Sequence, residues 1–294
     1  MMVSVVIATY KREQSLANAL ESLTNQTYKD FEVVIVDDNA DVEWNKKVEI
    51  IVNKFRTSLQ INYIQNANNQ GSAKTRNIGI NSAKGEYITF LDDDDLYLPS
   101  KIEVQVKQMI DCGADYSLMN LSLYNENETL SEIRKRDYLL TPEANDLLLC
   151  HLKHHMTGTD TMMFKKDYLV SFGGFVAIDV GDEFYLMMKA IEHNGKFVYC
   201  NACEVKAYVH TGEGGLSSGQ QKIDGENRLY NFKKQYFGKL TLKNRRYVRM
   251  RHFAVLSFAY KRISRLSSFF LCGFLSFLSA PVQCCKMIVS LKRD

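Results

Sequence analysis

Proline is scarce, with three residues in 294, and no low-complexity tract interrupts the chain. That excludes a proline-rich linker or a compositionally disordered segment as an organising feature. No stretch repeats at a fixed period, so a solenoid or propeller is excluded as well. No secretory leader is expected from the first residues: the apolar run Val3 to Ala8 is too short, and the nearby positive charges follow it. The seven cysteines are an odd number and form no disulfide-like framework, which fits a reducing cytosol. Cys200-Asn201-Ala202-Cys203 has Cys-x-x-Cys spacing but lacks a second pair, and reads as ordinary buried thiols. What remains is an ordinary globular composition, long enough to bury a full core. A single α/β domain with an appendage is the default.

Little net charge is left over either, but the value of +3 conceals a division. From Asn227 onward there are 15 Lys and Arg against one acid, Asp294, a balance of +14, while residues 1 to 226 carry −11. An acidic body with a basic tail points to a soluble site domain and a tail that meets an anionic surface. No nucleic-acid recognition motif is present, so an anionic membrane is the better partner. Leu266 to Cys285 is a run of 20 uncharged residues, yet its serines, Pro281 and Gln283 make it a poor spanning helix. A membrane-associated anchor flanked by basic residues fits best. The alternative is a helical subdomain packed on the enzyme or on a second subunit, which would make the protein a homo-oligomer.

The chain is organised around Gly85 to Asp95, where an apolar run, Tyr87 to Leu91, enters four consecutive carboxylates. The run reads as a strand buried on both faces. Pro99 then stops it, and Ser100-Lys101-Ile102-Glu103 predicts a capping box opening a helix. Carboxylates at the carboxyl end of such a strand sit where open α/β sheets place their ligands. Four adjacent like charges resist full ionisation unless a cation offsets them, and Mg2+ or Mn2+ prefers oxygen ligands of this kind. A solvated acidic turn is the plain alternative.

Upstream, Val3 to Ala8 is a first strand ending at Thr9-Tyr10, followed by a helix with Leu16, Ala19, Leu20 and Leu23 on its core face. Phe31 to Val36 is a second strand ending at Asp37-Asp38-Asn39. A helix near Val42 to Phe55, a strand at Ile61 to Ile64 and a helix from about Ala73 to Ala83 complete an alternating pattern. This predicts a doubly wound, mainly parallel α/β sheet flanked by helices. Thr9, Asp38 and Asp92 then converge at one sheet edge, where a nucleotide can lie.

The blocks VSVVIATYKRE, FEVVIVDDNA, NQGSAKTRNIGI and GEYITFLDDDD, in this order and spacing, resemble the N-terminal half of the family 2 glycosyltransferases of the GT-A fold. The resemblance covers about residues 2 to 237. It implies that Ala8, Thr9, Tyr10 and Asp38 hold the nucleoside and that Arg76 lies near the donor. It also implies that Asp92 and Asp94 bind metal and diphosphate, with Asp93 between them contributing to nucleotide-sugar binding. Asp38 can alternatively hold a turn, and Arg76 can be a solvated charge.

In the second half, a strand near Tyr116 to Leu121 precedes a polar stretch, Asn125 to Asp137, read as an exposed loop. Thr141-Pro142-Glu143 reads as the start of another helix. His151, His154 and His155 have helical metal-site spacing, but a non-ligand role at the acceptor cleft is the preferred reading. Asp182 and Glu183 follow Gly181 and open a helix anchored by Leu186 and Ile191. By resemblance this is the catalytic-base pair, in reversed order, with Asp182 the first choice and Glu183 the second. The helix N-terminus is expected to lower the pKa of Asp182. His210 leads a Gly-rich loop, Thr211 to Ser218, and is a candidate metal or phosphate ligand.

The expected protein is an inverting glycosyltransferase that uses Mn2+ or Mg2+ and a nucleotide-diphosphate sugar donor, a UDP-sugar. Its acceptor would be a saccharide or lipid-linked molecule in cell-surface polysaccharide synthesis, at the cytoplasmic face of the membrane. Residues 1–237 would form the transferase domain, with 1–100 binding the nucleotide-sugar and 101–237 supplying the acceptor and catalytic half. Residues 238–294 would form the basic, apolar helical tail. A sugar nucleotidyltransferase is the alternative enzyme, although Thr9-Tyr10-Lys11-Arg12-Glu13 lacks the glycines of its loop. A catalytically idle nucleotide-sugar-binding scaffold is the third reading.

Overall fold

The computed structural model describes residues 1–178, 181–209 and 219–290. By packing, the described residues of 1–142 and 156–210 form one compact unit, and those of 143–155 and 211–294 form a second. Helix 219–234, which sequence alone groups with the transferase domain, thus belongs with the tail, as does the segment 143–155.

The first unit starts with β1 (Val3–Thr9), α1 (Glu13–Thr24), β2 (Phe31–Asp37), α2 (Val42–Phe55), β3 (Ile61–Gln65), α3 (Ser72–Ser82) and β4 (Tyr87–Phe90). The apolar residues of β1 and β2 are almost wholly buried, as unbroken hydrophobic strands require. The expected stripe of α1, Leu16, Ala19, Leu20 and Leu23, is fully buried. Asp41 caps α2 by accepting from the backbone N–H of Glu43 and of Trp44, both at 3.0 Å. On α3, Gly79 lies against the sheet so closely that a Cβ there would come within 2.4 Å of Val6 Cγ1. A helix can approach β1 and β2 this tightly only over a residue without a side chain.

After the acids come β5 (Leu96–Tyr97), α4 (Lys101–Cys112), β6 (Tyr116–Met119), β7 (Leu121–Asn125) and β8 (Leu130–Arg134). Next are α5 (Leu147–His154), β9 (Met162–Lys165), α6 (Lys166–Ser171), α7 (Asp182–Glu192), β10 (Phe197–Cys200) and β11 (Val205–Val209). The central sheet has the order β10-β6-β9-β4-β1-β2-β3, and a second sheet the order β5-β11-β7-β8. β1 pairs in parallel with β2 and β4, which places the ends of three successive strands side by side. β9 runs antiparallel to both β4 and β6, so the sheet is mixed at this point.

Three local expectations are corrected. The polar stretch from Asn125 is not simply a loop: β8 pairs antiparallel with β7 while staying exposed throughout. The Thr141-Pro142-Glu143 signal opens only a 3-10 turn, Pro142–Asn145, and α5 starts later under an Asp146 cap that accepts from Leu149 N–H at 2.9 Å. The capping box before α4 does not form, because Ser100 donates to Glu204 at 2.8 Å and Glu103 accepts from Thr27. Tertiary partners outcompeted the local pairing.

The second unit contains α5, α8 (Gly219–Lys234), α9 (Leu242–Arg262), α10 (Leu266–Ser279) and α11 (Pro281–Ser290). Ile223, Leu256, Ala259 and Cys272 form one small core, and Met250, Ala280 and Cys284 another. No helix among the described residues is long and apolar enough to cross a membrane. His155 lies here, its Nε2 against Lys233 Nζ, and burial pushes the imidazole well below its ordinary pKa. None of His151, His154 and His155 belongs to a metal-ligating cluster among the described residues. No disulfide joins the described cysteines, and burial pushes the Cys200 thiol up.

Candidate active site

The strand ends do converge. Asp38 N–H donates to the Thr9 carbonyl at 2.9 Å, and Thr9 Oγ1 donates to Asp93 Oδ2 at 2.8 Å. Tyr10 N–H reaches the same oxygen at 3.3 Å, and Arg12 Nη1 donates to Asp93 Oδ1 at 3.2 Å. Asp93, the middle residue of the motif, therefore ties the loop after β1 to the acidic strand end. Burial, with Asp94 beside it, raises its pKa to about 6. Arg12 also pairs with Asp94. Ala8 is half-buried and Tyr10 is 46% exposed.

Asp38 is buried and its carboxylate is well occupied. Oδ1 accepts from Gln70 N–H and Asn66 Nδ2, each at 2.8 Å, and Oδ2 accepts from Gly71 N–H at 2.9 Å. A carboxylate has about four acceptor positions, so one remains. The turn-holding role is the one the side chain performs here: it fixes the turn from which α3 departs.

That helix delivers Arg76, whose guanidinium forks between two acids distant in sequence. Nη2 donates to Asp92 Oδ1 at 2.6 Å and Nη1 to Asp182 Oδ2 at 3.0 Å. The fork lies 5.4 Å from the Phe175 ring, and Asn77 holds the Phe175 backbone by accepting its N–H and donating to its carbonyl, both at 2.9 Å. Arg76 is thus a buried, shared cation and not a solvated charge.

Asp182 is the first residue of α7, with Gly181 as the cap in a left-handed conformation (φ 85°). Its Oδ1 accepts from Glu183 N–H at 3.0 Å. The expected lowering of its pKa is overturned: burial raises it, with Arg76 only partly opposing. Desolvation outweighs the helix terminus because the residue is 8% exposed. Glu183 accepts from Gly158 N–H, and burial and the neighbouring Asp182 raise its pKa too.

Behind Asp92 lies an acid that sequence reasoning missed. Asp160 Oδ1 accepts from Asp92 N–H at 2.6 Å, and Asp92, Asp95 and Asp160 each bring a carboxylate oxygen within 4.8 Å of the others. Burial and Asp92 push Asp160 up to about 8, and burial with Asp160 pushes Asp95 well up. Adjacent oxygens around an octahedral Mg2+ stand about 3 Å apart and opposite ones about 4 Å. Three carboxylates with oxygens within 4.8 Å of one another, two of them buried and raised, offer the oxygen donors that a divalent cation takes. Beneath them, Lys101 Nζ donates to the Tyr97 hydroxyl at 2.9 Å and to Thr89 Oγ1. Burial holds this ammonium well below its ordinary pKa.

A family model described as Glycosyl transferase family 2 matches residues 4–170. The chain belongs to the family 2 glycosyltransferases. An uncharacterized glycosyltransferase of Methanocaldococcus jannaschii is 36% identical over 173 residues, 57% of each chain. The Escherichia coli UDP-Glc:alpha-D-GlcNAc-diphosphoundecaprenol beta-1,3-glucosyltransferase WfaP is 38% identical over 109 residues, 37% of this chain and 41% of that one. The crystal structure of S. aureus TarS 1–349 in complex with UDP-GlcNAc superposes with a TM-score of 0.64 at 18% identity, covering 95% of this chain and 91% of that one. At that identity the likeness establishes the GT-A fold of this glycosyltransferase.

In the candidate site, Asp92, Asp182 and Arg76 are brought together, as are Thr9, Tyr10 and Asp93. Asp94 is set apart from the three-acid cluster and paired with Arg12. His210 and the Gly-rich loop lie outside the described residues. Asp160 escaped notice because β9 is antiparallel. The start of an antiparallel strand lies at the same sheet edge as the ends of its parallel neighbours, whereas an all-parallel reading puts it at the far edge. The polar run Gly158-Thr159-Asp160-Thr161 before β9 was the available signal.

Proposed function

We propose that this glycosyltransferase moves a sugar, with inversion at the anomeric carbon, from a nucleotide-diphosphate sugar to a hydroxyl of a saccharide or lipid-linked acceptor. The observation that carries this is the Arg76 fork, which joins the acidic strand end to the acid that opens α7. Inversion needs a proton acceptor on one side of the sugar and charge stabilisation of the leaving diphosphate on the other. Asp182 has the first role. Its raised pKa makes it a stronger proton acceptor than an ordinary carboxylate, and Arg76 steadies its charge. Glu183 serves better as a strut, since its carboxylate is committed to the Gly158 N–H beside the Asp160 turn.

Arg76 and Arg12 offer planar forks to the donor diphosphate, and the phosphates would draw both away from their present carboxylates. Asp92, Asp95 and Asp160 would hold Mn2+ or Mg2+, with Asp94 and His210 the further ligands that the family resemblance gives. When bound, the cation supplies positive charge against the departing diphosphate. The nucleoside would lie on Ala8-Thr9-Tyr10, using the remaining acceptor position of Asp38. A UDP-sugar is the favoured donor because WfaP is a UDP-Glc-dependent glucosyltransferase and the TarS structure holds UDP-GlcNAc.

The test is product release from a panel of UDP- and GDP-sugars with Mn2+, in the presence of saccharide and lipid-linked acceptors. Acceptor-stimulated release of UDP, lost in Asp92→Asn, is the expected result. Release of inorganic diphosphate from UTP and a sugar phosphate would instead make the protein a nucleotidyltransferase. Binding of UDP-sugar without any turnover would make it a scaffold.

A further inference from the structure

Helix α10 is inverted relative to an ordinary surface helix. Its buried side chains are the small ones, Cys272, Ser276 and Ser279: Ser276 Oγ donates to the Met250 carbonyl at 2.9 Å, and the backbone carbonyl of Ser279 accepts from Arg246 Nε at 2.8 Å. Cys272 packs with Leu256 and Ala259 of α9 on the same side. Its large apolar side chains face outward. Leu266, Phe270, Leu271, Phe274, Phe277 and Leu278 are 43–68% exposed, and at 100° per residue they share one arc of less than half the helix circumference. Just beyond, Val282 on α11 is 64% exposed. An apolar stripe of this size marks an interaction surface.

The charge around the stripe selects the partner. Lys261, Arg262 and Arg265 are exposed at the start of α10, and Lys286 is exposed on α11. No acidic residue occurs anywhere from 227 to 290. A second copy of this face would bring the same cations together, an arrangement that repels. An anionic lipid surface instead meets the cations with phosphates and the stripe with acyl chains. The 14-residue helix is about 21 Å long, too short to span a hydrocarbon core of about 30 Å, so it suits the interface plane.

We propose that the outward face of α10, with Val282, is seated in an anionic membrane, its six large apolar side chains inserted and its basic ends on lipid phosphates. The proposal does not rest on the transfer chemistry, because none of these residues belongs to the acidic site.

The experiment is co-sedimentation of the full chain with vesicles of phosphatidylglycerol and phosphatidylcholine, and with phosphatidylcholine alone, at low salt. Wild type should bind the anionic vesicles and leave the neutral ones. Phe270→Glu combined with Phe274→Glu should lower partitioning roughly tenfold or more, as should Arg262→Glu with Arg265→Glu. Full binding by the phenylalanine pair variant, or no binding by wild type, overturns the proposal. So does a wild-type dimer that this variant converts to monomer while vesicle binding is undiminished. A second readout guards against misfolding of the charged variant. Phe274→Trp in a Trp44→Phe background should shift its emission to the blue on anionic vesicles, and unchanged emission also overturns the proposal.

Discussion

At the scale of residues, Asp182 and Asp160 bear the most weight. Asp182 keeps a proton to higher pH than a solvated carboxylate because it is buried. Transfer that uses it as base should therefore rise with pH through a value above the usual carboxylate range. Asp182→Asn preserves shape, leaves one oxygen to accept from Arg76 or from Glu183 N–H, and accepts no proton, so turnover should fall roughly 10²-fold or more while donor affinity stays near wild type. Glu183→Gln should retain measurable turnover. A dead Glu183→Gln beside an active Asp182→Asn would transfer the role to Glu183, and activity in both would remove the base mechanism. For Asp160, the neutral substitution Asp160→Asn should weaken Mn2+ binding roughly tenfold or more, read by titration calorimetry without donor. An unchanged affinity would leave the cation to Asp92 and Asp94. The motif acids and the pair after Gly181 were legible in the sequence because each sits at a strand end or helix start. Asp160 was not, because its position depends on strand direction.

Elements explain why so much could be read and where reading stopped. Buried strands and the α1 stripe announce themselves through period and apolarity, and both stand where expected. Direction does not: three apolar residues, Met162 to Phe164, look the same in either sense, and only pairing with β4 and β6 fixes β9 as antiparallel. Capping signals failed for a related reason, since Ser100 and Glu103 found partners remote in sequence. The contact of α3 with the sheet was equally invisible, although it sets the position of Arg76. Gly79→Ala places a methyl group into Val6, forcing the helix outward. Overpacking of this kind should cost about 1–3 kcal/mol in urea unfolding and reduce transfer through displacement of Arg76. Val6→Ala in the same chain should recover part of both losses. A fully stable, fully active Gly79→Ala would show that α3 does not need this approach.

Across the whole molecule, the two compact units carry opposite electrostatic burdens, visible only in part from the −11 and +14 division of the sequence. The first buries acids, with Lys101 the lowered base beneath them: Asp160 is pushed up to about 8 and Asp93 to about 6. Acids raised in this way favour folding below their ordinary pKa near 4, and that contribution is lost as pH climbs through 6 to 8. The second unit buries bases. Lys233 is lowered to about 7 by burial, and His155 is lowered beside it. The Lys233 contribution is complete above the ordinary lysine pKa near 10.4 and is lost as pH falls through 7. That of His155 is complete above the ordinary histidine pKa near 6.5 and is lost only below it. Raising pH from 6.5 to about 8.5 without divalent cation should then loosen the first unit and tighten the second. Hydrogen exchange, corrected for the intrinsic pH effect, separates them: protection should fall in peptides spanning 87–97 and 160–165 and rise in those spanning 225–235. Mn2+ should abolish the fall, since a cation on Asp92, Asp95 and Asp160 replaces the protons that neutral pH removes, and should leave the rise untouched. Parallel changes in both units would contradict the assignment of buried acids to one and buried bases to the other. A fall that persists in saturating Mn2+ would mean that the three-acid cluster does not hold the metal.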